Sequence, residues 1–278
     1  MAIEWLLQPL QYAFIVRALL AAVMVGIVCP VIGVYIVLRG MAFLGDALAH
    51  IILPGVVVAY LLGWPLALGA LIMGTVAAVG IGALTERRVL KEDTAIGVIL
   101  AGLFALGVAM LSATGNYAVD LTHFLFGNLL GVTLTDLRIT FLLATFVLLT
   151  IVLFFKEFMV ISFDPMLAIT LRLPERFLRY LLLILIAVTI VISLQVVGVA
   201  LMLAMLVTPA AAASLLTRRL HSMMVWAVGI GIFSGVTGVY LSFYLDIASG
   251  PAVVLVATAV FILTFLFAPH RGMVWQRA

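Results

Sequence analysis

The chain has 278 residues, of which 67% are hydrophobic and only 9% charged, where soluble domains run near half apolar and about a quarter charged. That balance excludes a water-soluble globular enzyme, and a formal net charge of +3 dispersed between apolar stretches leaves no basic face for a nucleic acid to follow. The single Cys29 excludes an internal disulfide and a sulfur-rich metal site.

Read from the N-terminus, residues 1–11 contain Glu4 and no Lys or Arg, so no secretory signal is expected there. Apolar stretches near the ~20 residues that cross a bilayer then follow one another. They fall at about Tyr12–Leu38, Ala47–Leu62, Trp64–Leu84, Thr94–Ser112, Leu137–Phe155, Leu178–Val197, Val199–Leu216, Met223–Tyr244 and Ala252–Phe267. The expected fold is therefore all-α, a polytopic membrane helix bundle of eight or nine transmembrane helices, with 1–278 forming one transmembrane domain. Phe124–Val132 is too short to span and reads as a re-entrant or interfacial helix.

Charge placement sets the orientation. Arg87, Arg88 and Lys91, then Lys156 with Arg172, Arg176 and Arg179, then Arg218 and Arg219, then Arg271 and Arg277 all fall on one side if nine spans are drawn. The positive-inside rule makes that side cytoplasmic, with Arg39 and the C-terminus inside. The outer connections, where Asp120, His123, Asp136 and Asp246 lie, are too short to capture a solute. The longest interruption, 156–179, is cytoplasmic; within it Ser162 or Asp164 can cap a short amphipathic helix opened by Pro165 and stopped by Pro174.

Few ionisable residues lie within the apolar segments. Asp46 and His50 stand four apart and share a helix face. An unpaired Asp at bilayer depth costs roughly 2.5–3.5 kcal/mol, so it should face a cavity or a partner. Carboxylate and imidazole together chelate, and two such pairs in a symmetric dimer would suit manganese, iron or zinc better than copper(I). The same spacing also fits Asp46 as a helix cap with His50 bonded to it. His123, with Asp120 close by, reads as a solvated loop residue; His221 and His270 sit among basic residues as ordinary interface side chains. There is no Gly-rich loop ending in Gly-Lys-Ser/Thr, no His-Glu-x-x-His and no Gly-x-Ser-x-Gly, so ATP hydrolysis and common hydrolase chemistry are not expected of this chain.

The run LRGMAFLGDALAH over 38–50, followed by Leu53-Pro54-Gly55, resembles the signature of the manganese/zinc/iron permease family of ABC importers. DTAIG at 93–97, FLFGN at 124–128, Phe163-Asp164-Pro165 with Leu167-Ala168, and MLVTPAA at 205–211 are similar to further blocks of that family in the same order. The resemblance implies a type II ABC importer-like permease in a bacterial-type inner membrane. It implies a second copy of the chain, cytoplasmic ATPase subunits and an extracytoplasmic metal-binding protein as partners. No resident cofactor is implied; the divalent metal, manganese favoured on the look of the blocks with zinc or iron possible, is cargo. Asp46 and His50 would line its path. Asp164, Pro165, Met166, Leu167, Ala168, Leu171 and Arg172 would form the coupling helix that docks on the ATPase. Family members often carry Gly where this chain has Arg172, so the helix end is expected to differ or Arg172 to touch the ATPase. Two other readings fit the composition. A gradient-driven secondary transporter should show inverted repeats, and the halves show none that convince. An intramembrane metalloenzyme should show about three ligands and a base, where one chain offers two ligands.

Overall fold

The computed structural model describes residues 8–86, 90–114 and 129–268. The regular secondary structure of these residues is all helical, with no strand among them. In chain order they form α1 Ala13–Leu38, α2 Leu44–Ile51, α3 Leu53–Leu61, α4 Leu66–Glu86, α5 Glu92–Thr114 and α6 Leu134–Leu153. After these come α7 Phe155–Phe163, α8 Pro165–Thr170, α9 Glu175–Val197, α10 Val199–Leu216, α11 Leu220–Leu245 and α12 Ser249–Phe267. With α2 and α3 taken together as Leu44–Leu61, nine stretches among the described residues are long and apolar enough to cross a membrane. Every expected span is present.

The helices extend beyond the apolar edges that hydropathy marks. Glu92 and Asp93 open α5, Asp136 lies in the first turn of α6, and Glu175 opens α9. Carboxylates are favoured there because the first turn exposes unpaired N–H groups at the positive end of the helix dipole. A second difference concerns 156–163, expected as part of a loop. Helix α7 occupies it, because Phe158 and Ile161 are buried and the break is a single distorted residue, Phe154. The FLFGN block, Asp120, His123, Arg87, Arg88, His270, Arg271 and Arg277 lie outside the described residues. What is described of 124–132 includes a 3-10 turn at Leu129–Gly131.

The helices gather into two compact units, one holding the described parts of 1–37, 126–145 and 196–278, the other those of 38–125 and 146–195. In the first, α10, α11 and α12 pack on one another, and α1 approaches α11 where Gly26 meets Gly231. In the second, α2 and α3 pack on α4 and α5. There Gly55 and Gly69 meet backbone to backbone: a Cβ on Gly55 would fall 2.2 Å from the Gly69 carbonyl oxygen. Helices this close need no matching side chains, since van der Waals packing drives association where lipid removes the hydrophobic incentive. The α2–α3 break at Ile52 has a local cause. Pro54 has no N–H to give the carbonyl of His50 four residues earlier, so the regular helix is interrupted at Ile52, two residues beyond the histidine.

Candidate functional site

Helix α1 ends at Leu38, and Gly40 at φ 70° lies in the turn that leads to α2, a left-handed step that Gly takes without a Cβ penalty. Leu44, Ala47, Leu48 and Ile51 of α2 are buried, which leaves Asp46 and His50 on the opposite face. Asp46 is not the cap. Phe43 occupies that position, and Asp46 lies inside the first turn. His50 Nε2 stands 3.7 Å from Asp46 Oδ1, and the two side chains remain 41% and 42% exposed. That separation is within ion-pair reach but exceeds a hydrogen bond, so no hydrogen bond ties the two head groups and both remain half-exposed on one face of α2. Phe104 of α5 meets the imidazole edge-on, with ring centroids 5.6 Å apart at 71°. Such a contact holds a ring's orientation; sequence reading missed it because nothing local ties residue 104 to residue 50. No group of three or more His, Cys, Asp or Glu side chains able to hold a metal occurs among the described residues.

The expected short helix is present as α8. Asp164 is its cap: extended in backbone, it accepts hydrogen bonds from the N–H groups of Met166 at 2.9 Å and Leu167 at 3.1 Å. Pro165 takes the first helical position. Ser162, the other candidate cap, lies inside α7. Met166, Leu167 and Leu171 are exposed together, as a docking face requires, but Ala168 is fully buried and supports the helix from beneath. Arg172 adopts φ 55°. Its N–H donates to Ile169 O and that of Leu173 to Ala168 O, each at 3.0 Å, the paired closure that usually calls for Gly. The helix end thus keeps the geometry that Gly would give, with an arginine in it.

A third cluster was invisible in the sequence, where its cations served only to set orientation. Arg39 donates to Glu92 at 2.5 Å, and Arg179 reaches the same carboxylate oxygen at 3.4 Å and the Thr85 carbonyl at 3.2 Å. Arg176 pairs with Glu86 at 2.8 Å, and the Tyr180 hydroxyl donates to Glu86 at 3.3 Å. Burial pulls the Arg39 pKa down, with the charge of Glu92 acting in the opposite direction.

The model of the ABC 3 transport family matches residues 11–268. The manganese transport system membrane protein MntC of Halalkalibacterium halodurans is 44% identical over 96% of this chain and 91% of its own length. The chelated iron transport system membrane protein YfeD of Yersinia pestis is 40% identical over 94% of this chain and 87% of its own. Among solved structures, PsaBC from Streptococcus pneumoniae in complex with Fab superposes with a TM-score of 0.85 at 36% identity, covering both chains completely.

Proposed function

The chain belongs to the ABC 3 transport family, and from that premise we propose that it is the membrane-spanning permease subunit of an ATP-driven importer of a divalent transition metal, with manganese the favoured cargo. The relatives named for manganese and iron transport support the substrate class. The observation that carries the site is the Asp46–His50 pair, near one another, half-exposed and not joined by a hydrogen bond. One oxygen and one nitrogen donor suit manganese, iron or zinc.

Two donors per chain are too few for a resting metal centre and suitable for a brief stop. A second copy placing its own pair opposite would complete a four-donor station on the dimer axis, able to bind and still release. In this reading the chain sits in a bacterial inner membrane with its C-terminus cytoplasmic. An extracytoplasmic protein delivers the metal, and ATPase subunits dock on the exposed face of α8 and supply the hydrolysis.

The test is uptake of radiolabelled manganese and zinc by cells carrying Asp46→Asn or His50→Ala at matched membrane abundance. Each variant should lose at least the roughly 10- to 100-fold that weaker disturbances of metal sites produce. Wild-type rates in both would leave the pair a structural feature of α2 and end this assignment. Uptake that survives ATP depletion and collapses with the proton gradient would instead favour a secondary transporter.

A further inference from the structure

Glu92 receives two arginines from distant parts of the chain. Arg39 stands just ahead of α2, the helix of Asp46 and His50; Arg179 lies in the opening turns of α9, which follows α8 across Pro174; Glu92 itself opens α5, the helix of Phe104. The side chains of Arg39, Arg179 and Glu92 are 9%, 16% and 22% exposed. Charges so withdrawn from water are tolerated only when paired, and hydrophobic residues of the same volume often hold a fold as well or better. Stability alone therefore gives little reason for this arrangement. Arg39 Nη1 is buried and meets no acceptor among the described residues, so the burial of this guanidinium is offset by Glu92 at Nη2 and not at Nη1.

The coupling helix reaches the same cluster. Ile169 of α8 lines a cavity of about 210 Å3 together with Glu86, Glu175, Arg176, Arg179 and Tyr180. A displacement of α8 toward this cavity would press on the side chains of the first turns of α9, Arg179 among them. We propose that Glu92 is a positioning residue that relays movement of the coupling helix, through Arg179 and Arg39, to the helix carrying Asp46 and His50. The proposal rests on the reading of α8 and α2 given under Proposed function. Its physical content is that the first turns of α9, a shared carboxylate and a short turn form a continuous chain between the two, one route by which separated sites can be coupled.

The experiment uses the complete complex, the chain with its ATPase and metal-binding protein, reconstituted in lipid vesicles. Manganese uptake and ATP hydrolysis are measured in the same sample. Glu92→Gln should assemble and retain basal hydrolysis, but lose stimulation by the metal-loaded binding protein, and its manganese transported per ATP should fall roughly tenfold, within the usual range of coupling between sites. Glu92→Asp, which keeps the charge, should recover part of that ratio. A merely structural Glu92 would lower abundance and melting temperature while leaving manganese per ATP unchanged in the complexes that form. Should Glu92→Gln fail to reach the membrane, Arg179→Lys, which keeps the charge but loses the fork, decides by the same ratio. A wild-type ratio in an assembled variant overturns the proposal. If the unaltered complex shows no ATP-dependent uptake, the importer reading itself falls and takes this inference with it.

Discussion

At the scale of single residues, the structure separates positions where chemistry is exposed from those where geometry forbids change. Gly55 is of the second kind. Adding a methyl group 2.2 Å from the Gly69 carbonyl oxygen must push α3 and α4 apart, and overpacking of this sort costs about 1–3 kcal/mol. Gly55→Ala should therefore lower the thermal midpoint of the detergent-purified chain, whereas Gly102→Ala, which meets nothing within 4 Å, should leave it unchanged or raise it slightly. Arg172 is the opposite case. A non-glycine residue at φ 55° carries a left-handed penalty of about 1–2 kcal/mol, so Arg172→Gly should raise local stability, read as slower hydrogen exchange at Leu173. If that variant also loses stimulation of the ATPase, the guanidinium contacts the partner directly.

At the scale of elements, α8 is a six-residue helix, far too short to hold itself in water without help. Three features supply it: the Asp164 cap, the proline at the first position and the burial of Ala168. Asp164→Ala removes acceptors for two N–H groups and should destabilise the helix by about 1 kcal/mol, measurable as increased exchange at Met166 and Leu167. The burial pattern also separates two substitutions that look equivalent in sequence. Leu167→Glu alters an exposed residue of the proposed docking face and should abolish co-purification with the ATPase while the chain keeps its melting temperature. Ala168→Glu places a charge in a buried position and should lower that temperature as well. An unchanged complex in the Leu167 variant would remove the docking role from this face.

At the scale of the whole molecule, the chain purified without partners should neither bind nor hydrolyse ATP, because it carries no phosphate-cradling loop; robust hydrolysis by the isolated chain would contradict this. The sequence by itself determined the order and approximate places of the spans and bounded their number at eight or nine, since each must bury about 20 apolar residues in lipid and that requirement is written locally. It also determined the place of Pro165 and the shared face of Asp46 and His50, and narrowed the cap of α8 to Ser162 or Asp164, all set by spacing along the chain. Three things were decided only by tertiary structure. Packing buries one face of α2 and so leaves the Asp46–His50 pair open; it places the Phe104 ring against the imidazole; and it brings Arg39 and Arg179 to one carboxylate. Each depends on residues from different helices meeting, and helical periodicity fixes which face a residue occupies without specifying what that face will touch.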